Sequence, residues 1–163
     1  MEGRSERKFT TLRNIATPQP ESRVDDGEVR ILVIHPVAAT TRLVRETMES
    51  FTDVKVDATA DPLHGFEMAL QKNYRLFLFA MQMDELSGSM LYELISKAYT
   101  SGRGPKKIAP GVVFIREKED PKFPDELARD VRVKDVLTKP LRIDRLLKPI
   151  AGITEVRDPT AGN

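Results

Sequence analysis

Few residues of this chain could do chemistry by themselves. None of its 163 residues is a cysteine, which excludes disulfides, thiolate nucleophiles and cysteine-based zinc or iron–sulfur sites. Its only histidines are His35 and His64, so a histidine-based metal site is not expected. The sequence contains no P-loop and no nucleophile elbow, which argues against enzymes built on those motifs.

The remaining candidates directly follow short apolar segments. His35 and Pro36 come after the segment VRILVI, and Ala80 closes the segment LFLFA. Arg116 follows GVVFI, and Lys139 follows VLT. If these segments are parallel strands, their carboxyl ends share one edge of a sheet, which is where ligands bind in such folds.

The elements that must position these residues alternate along the chain. Strands are predicted at residues 29–34, 54–58, 76–80, 111–115 and 136–138, where apolar and β-branched side chains are concentrated. Helices are predicted at residues 41–51, after an N-cap at Asp61, around residues 91–98, and at residues 124–130 and 141–148. This alternation predicts an α/β fold, a three-layer doubly wound sandwich around a five-stranded parallel sheet.

Three helices show an apolar face that is predicted to contact the sheet. The residues of these faces are Leu43, Val44, Met48 and Phe51 in the first helix, Leu63, Phe66 and Leu70 in the second, and Leu91, Leu94, Ile95 and Ala98 in the third.

The folded part is expected to cover residues 29–151. Residues 1–28 hold six apolar residues against eleven charged ones, which predicts a disordered N-terminal tail. Within it, Phe9, Leu12 and Ile15 are spaced three apart and could instead form a short amphipathic turn that docks on a partner. Residues 152–163 are predicted to be a C-terminal tail.

Composition also indicates where the protein is located and which classes of partner are not expected. The sequence has no apolar run long enough to span a membrane and no secretory signal pattern, so a cytoplasmic location is expected. The 26 basic and 25 acidic residues leave a formal net charge of +1, and nucleic-acid binding is not predicted from that balance.

The motif LTKPL and the element spacing give the chain a family resemblance. Thr138, Lys139 and Pro140 at the end of the fifth strand resemble the Lys-Pro pair, with its cis peptide bond, of response regulator receiver domains. Aligning Gly88 with the glycine that ends the loop after strand three places Ala80 at the phosphoacceptor position of that family. The resemblance covers residues 29–151 and implies the flavodoxin-like, receiver-like (βα)5 fold of two-component signal transduction.

The same alignment implies that the phosphotransfer residues have been lost. The acidic pair of receivers falls on His35 and Pro36, and the acceptor Asp falls on Ala80, whose methyl group cannot form an acyl phosphate. Arg116 stands where a Thr or Ser is usual, and only Lys139 is retained. The resemblance thus implies a pseudo-receiver: a non-enzymatic module for phosphorylation-independent protein–protein interaction, with no cofactor and no metal.

The partner implied by this resemblance is another signalling protein or a second copy of the chain. Receivers signal through the surface formed by helix four, strand five and helix five, which is densely charged in this sequence. The charged residues of this predicted interaction surface are Arg129, Asp130, Arg132, Lys134, Asp135, Arg142, Asp144 and Arg145.

A second hypothesis concerns the altered pocket. With Arg116 and Lys139 at the edge of the sheet and no carboxylate expected beside them, the pocket could bind a small anion as a sensor. Alternatively, the two cations pair with Asp84, Glu85 or Glu117, or extend into water.

Overall fold

Five parallel strands form a single sheet in the computed structural model, which describes residues 27–157. Their order across the sheet is β2-β1-β3-β4-β5. The strands are β1 (Arg30–Ile34), β2 (Lys55–Thr59), β3 (Leu76–Ala80), β4 (Gly111–Arg116) and β5 (Val133–Thr138). The helices are α1 (Ala38–Phe51), α2 (Pro62–Gln71), α3 (Gly88–Thr100), α4 (Asp125–Ala128) and α5 (Ile143–Ile150).

The helices cover both faces of the sheet and create two apolar layers. Because β1, β3 and β4 are buried on both faces, they consist almost entirely of apolar residues. One layer packs α1 and α5 on the sheet through Val44, Met48 and Leu146, and the other packs α2 and α3 through Ala69 and Leu91. The predicted three-layer α/β fold is confirmed.

Two side chains start helices where the sequence places a capping residue. The Asp61 carboxylate accepts a hydrogen bond from the Leu63 amide at 3.0 Å, and Pro62 occupies the first turn of α2, as predicted. The Ser87 hydroxyl accepts from the Met90 amide at 3.2 Å at the start of α3. Helix α1 begins at Ala38, three residues before the predicted start.

The predicted inner faces of α1, α2 and α3 are wrong at one position each. Leu43 is 38% exposed, Leu63 is 62% exposed and Leu94 is 50% exposed. In α2 the buried residues are small, because Gly65 approaches Ile34 so closely that a Cβ atom would overlap its side chain. This contact orients the helix with Gly65 and Ala69 toward the sheet and Leu63 toward solvent.

Strand β5 is longer than predicted and contains a bulge. It begins at Val133 instead of residue 136. Val112 of β4 pairs with Val133, and Val113 pairs with Asp135, so Lys134 is the extra residue between two regular pairs. The irregularity breaks the alternation of side chains that would reveal a strand in the sequence.

The C-terminal part of the domain extends beyond the predicted boundary at residue 151. Ile153 and Val156 pack against the apolar layer next to α1. The Arg157 amide donates to the Phe51 carbonyl at 2.7 Å, and its guanidinium donates to the carbonyls of Ser50 and Thr52 at 3.0 Å each. Residues 152–157 therefore pack on the domain and do not form part of a tail.

Two further predictions concern the N-terminal docking turn and the absence of a membrane span. The N-terminal docking turn at Phe9, Leu12 and Ile15 lies outside the described residues. None of the helices within residues 27–157 is long and apolar enough to cross a membrane.

Candidate functional site

The carboxyl edge of the sheet brings together most of the residues singled out in the sequence. His35 follows β1, Ala80 ends β3, Arg116 ends β4 and Lys139 follows β5. The peptide bond between Lys139 and Pro140 is cis, as the resemblance implied. Pro36 also lies at this edge but is exposed.

Ala80 lies at the centre of this edge and is almost completely buried. Its carbonyl is covered by the first residue of α3, Gly88, where a Cβ atom would overlap the carbonyl oxygen. The Gly88 amide donates to the Met81 carbonyl at 2.9 Å, which closes the loop tightly over the strand. The end of β3 thus presents a methyl group beneath a loop, with no side-chain oxygen of its own that could accept a phosphoryl group.

His35 is held in one orientation in a nearly closed environment, with only 2% of its surface exposed. Its Nδ1 atom accepts a hydrogen bond from the Val37 amide at 3.0 Å, and its Nε2 atom lies 3.9 Å from a carboxylate oxygen of Glu117. Burial and the nearby Lys139 ammonium lower the pKa of His35 to about 4, with Glu117 acting in the opposite direction. His35 is therefore neutral near pH 7 and serves as a structural acceptor.

Lys139 already has an anionic partner inside the protein. Its ammonium lies 2.7 Å from the Glu117 carboxylate, and the lysine side chain is mostly buried. The expectation that no carboxylate stands at this edge is therefore wrong, because the turn after β4 folds Glu117 back over the sheet. The alternative that Lys139 pairs with Glu117 is confirmed. The Glu117 amide donates to the Asp120 carboxylate at 2.8 Å, which stabilises that turn.

Arg116 is engaged by the same turn. Its guanidinium donates to the carbonyls of Asp120 at 2.9 Å and Pro121 at 3.1 Å, and contacts the Thr138 hydroxyl at 3.4 Å. Its Nε atom is buried and has no hydrogen-bond partner among the described residues. Arg116 and Lys139 are thus at one edge but have separate partners, and this geometry does not support the anion-sensor hypothesis at these two residues.

The acidic residues after β3 belong to a neighbouring groove. Asp84 and Glu85 line a shallow groove of about 240 Å³ together with Pro36 and Asp61. Neither forms a salt bridge with Arg116 or Lys139. Within residues 27–157, no three His, Asp or Glu side chains are grouped so that they could hold a metal ion.

The predicted interaction surface divides into two networks. On one side of β5, the Arg132 guanidinium contacts the carboxylates of Asp130 and Glu93, the latter at 3.0 Å, and lies over the Tyr92 ring at 5.2 Å. These contacts with Asp130 and Glu93 raise the pKa of Arg132, and the hydrogen bond from Arg132 lowers the pKa of Asp130. Arg129 is exposed at the end of α4.

On the other side, α5 carries the second network. Arg145 lies 3.5 Å from the Asp135 carboxylate, and Arg142 lies 3.1 Å from Asp144. The apolar side chain of Ile143 is exposed next to these pairs. Sequence reasoning treated all eight charged residues as one surface, because it could not place the two faces of a bulged strand.

Two comparisons, one with protein-family models and one with curated proteins, found no match to this chain. Solved structures do match it. A response regulator receiver domain protein from Clostridium thermocellum has a TM-score of 0.61 at 19% identity, covering 76% of this chain and 92% of that one. The chemotaxis protein CheY4 from Vibrio cholerae has a TM-score of 0.63 at 14% identity, covering 77% of this chain and 98% of that one.

A third structure agrees with these two. The signal receiver domain of an HD domain-containing protein from Pseudomonas fluorescens has a TM-score of 0.63 at 14% identity, covering 77% of this chain and 93% of that one. The resemblance derived from Lys139, Pro140 and the element spacing is therefore confirmed at the level of the fold: the chain has the fold of response regulator receiver domains.

Proposed function

We propose that this chain is a non-enzymatic signalling module that recognises another protein, or a second copy of itself, without control by phosphorylation. The observation that carries the proposal is the buried methyl group of Ala80 at the end of β3. Phosphoryl transfer to a receiver fold needs a carboxylate nucleophile and oxygen ligands for Mg²⁺, and the positions that align with those residues hold Ala80, the buried imidazole of His35 and the ring of Pro36.

The ion pair of Lys139 and Glu117 supports the same proposal. At 2.7 Å, the Glu117 carboxylate neutralises the one cation that the chain shares with ordinary receivers at this edge. An incoming anion would have to displace an internal partner that is tethered a few ångströms away. The edge is therefore kept in one state by contacts within the chain.

Recognition of a partner is assigned to α5 and the adjoining edge of β5. The pairs Arg142–Asp144 and Arg145–Asp135 alternate in sign beside the exposed Ile143. Such an arrangement favours one orientation of a partner by charge complementarity, with the apolar side chain contributing buried area.

The absence of phosphorylation control is tested by NMR. The ¹⁵N-labelled full chain is titrated with beryllofluoride and Mg²⁺, next to an ordinary receiver domain as a positive control. Amides of residues 35, 80 and 139 are expected to keep their shifts. A saturable shift at these amides would refute the proposal.

The recognition surface is tested separately. Cross-linking in the native cell is compared for the wild-type chain, Arg145→Glu and a control, Lys118→Glu, whose side chain is exposed near the carboxyl edge. Arg145→Glu should reduce the amount of a reproducible cross-linked partner or dimer, and Lys118→Glu should not. Equal cross-linking by all three proteins would contradict recognition through α5.

The alternative of an anion sensor at Arg116 and Lys139 has its own test. A thermal-shift screen with phosphorylated metabolites is run on the wild-type chain and on Arg116→Ala. Because Arg116 already donates to carbonyls of the turn after β4, we expect no metabolite to raise the melting temperature of the wild type more than that of Arg116→Ala.

A further inference from the structure

A groove of about 440 Å³ opens at the amino edge of the sheet, opposite the site described above. It lies between the starts of β3, β4 and β5 and the C-terminal end of α5. Its volume is within the range of small-molecule sites in proteins. The residues that matter for its chemistry are Arg75, Lys134 and Lys148 on the rim and Leu76, Pro149 and Ile153 on the walls.

The rim carries a local excess of positive charge. Arg75, Lys134 and Lys148 form no salt bridge with any carboxylate of residues 27–157. Asp135 also lines the groove, but its carboxylate is engaged by the Val136 amide at 2.8 Å and by Arg145 at 3.5 Å. The groove therefore combines three cations with one carboxylate that is already bonded.

A fourth cation extends this positive region. The Lys106 ammonium donates to the Tyr74 carbonyl at 3.1 Å, and Tyr74 directly precedes Arg75 in the sequence. Burial and the positive charge of Arg75 lower the pKa of Lys106. Lys106 therefore adds positive charge beside Arg75, and concentrated like charges favour an anion that would relieve their repulsion.

Local backbone features place Lys134 in this groove. Lys134 is the bulged residue of β5, so its side chain does not follow the alternation of its neighbours. It lies across Gly111, where an added Cβ atom would be 2.6 Å from Cε and 2.8 Å from Cγ of the lysine. A side chain at position 111 would displace Lys134, whose ammonium donates to the Val131 carbonyl at 3.2 Å and keeps further donors free.

The walls of the groove are largely apolar. Pro149 and Ile153 line the groove and are partly exposed, while Leu76 at its base is almost completely buried. Ile153 is partly buried against the apolar layer next to α1, so this wall is fixed in place. Cations at the rim and apolar walls together match a ligand that carries phosphate groups at one end and a flat ring at the other.

We propose that this groove binds a phosphorylated small molecule with a flat apolar group, of the size of a mononucleotide. The phosphates would contact Arg75, Lys134 and Lys148, and the ring would lie against Pro149 and Ile153. This site is independent of Ala80, His35 and the phosphorylation question, so each proposal can fail without the other.

The test is an NMR titration of the ¹⁵N-labelled full chain with ADP and, separately, with pyrophosphate and adenosine, which stand for its phosphate part and its nucleoside part. ADP is expected to give saturable shifts at the amides of Arg75, Gly111, Lys134 and Gly152, with weaker binding of each part. Lys148→Gln and Lys134→Gln should raise the Kd for ADP by about tenfold each, because each removes a charge-assisted hydrogen bond.

The control variant is Lys118→Gln, an exposed lysine near the opposite edge, which should leave the Kd unchanged. Lys134 and Lys148 are exposed, so their variants are expected to fold, and their spectra verify this. The proposal is overturned if ADP gives no saturable shift, if the shifts cluster around Lys139, or if pyrophosphate binds as tightly as ADP. Binding of duplex DNA through this edge without binding of ADP would equally overturn it.

Discussion

The two edges of the sheet treat charge in opposite ways. At the carboxyl edge, the Lys139 ammonium and the Glu117 carboxylate are 2.7 Å apart. At the amino edge, Arg75, Lys134 and Lys148 surround a groove without forming salt bridges within the described residues. Ligands of such folds usually bind beyond the carboxyl ends of the strands. In this chain, the carboxyl edge is the one whose lysine is already paired within the protein.

This difference shows that the fold alone does not determine where the protein can bind an anion. The receiver fold supplies an edge with a Lys-Pro pair, but the side chains beside it decide whether that edge can respond to an anion. In this chain, a single turn after β4 supplies Glu117 and also occupies Arg116. The comparison predicts that substitutions at the carboxyl edge cost stability, whereas equivalent substitutions at the amino edge do not.

The largest difference is expected between two glycines. Gly88→Ala should lower the free energy of unfolding by about 3 kcal/mol, because the new methyl group meets the Ala80 carbonyl of a central strand that cannot move. Gly152→Ala at the amino edge should change it by less than about 0.5 kcal/mol, since its nearest neighbour would be 3.8 Å away. Urea unfolding of both variants measures this, and equal losses would contradict the close contact at Gly88.

The next effect depends on pH. Because the pKa of His35 is lowered from 6.5 to about 4, the unfolded chain binds a proton between these values while the folded chain does not. Stability should therefore fall as pH drops through this window, by up to about 3 kcal/mol from this residue.

A His35→Asn variant isolates that contribution. The amide oxygen of asparagine can accept from the Val37 amide as Nδ1 does, but it does not titrate in this range. Urea unfolding at about pH 7 and about pH 4 should show a smaller difference for the variant than for the wild type. The same pH dependence in both proteins would show that folding does not lower the pKa of His35.

A smaller loss is expected when the ion pair at the carboxyl edge is broken. Glu117→Gln should cost about 1 kcal/mol, since Lys139 is mostly buried and loses its carboxylate partner. Glu119→Gln is the matched control, because Glu119 is an exposed neighbour in the same turn. Chemical denaturation of the wild type, Glu117→Gln, Lys139→Met and the double variant gives the coupling energy, and a coupling near zero would contradict the pair.

The smallest effect is predicted at the amino edge and has the opposite sign. Lys148→Gln should leave stability unchanged or raise it by a few tenths of a kcal/mol, because it removes one of several neighbouring cations that form no salt bridge. Thermal unfolding at low ionic strength detects the change. A clear loss of stability would show that Lys148 has an important partner in the folded chain.

Local sequence signals were enough to predict the fold. Strands such as LFLFA are recognisable because a parallel sheet buried on both faces requires continuous apolar residues. The Asp61 cap was also predictable, because its side chain bonds to an amide within its own turn. Leu63 was misplaced because helix orientation depends on the distant contact between Gly65 and Ile34.

The chemistry at the two edges was harder to predict. Glu117 was one of three carboxylates that the sequence offered as partners of Arg116 and Lys139, but which of them reaches Lys139 depends on how the turn folds. The amino-edge groove combines residues from four separate segments, and the bulge at Lys134 hides the pattern that would place that side chain. Such sites arise from tertiary structure and leave no local motif.

The attachment of Arg157 to the end of α1 has a consequence for how a signal could pass through α5. Swinging this helix outward would strain or break the bonds that Arg157 makes to Ser50, Phe51 and Thr52, and would uncover Ile153. A relay based on helix displacement is thereby disfavoured. A protein that binds α5 would instead contact a helix held in one position, so the selectivity of binding would depend on how well the two surfaces fit.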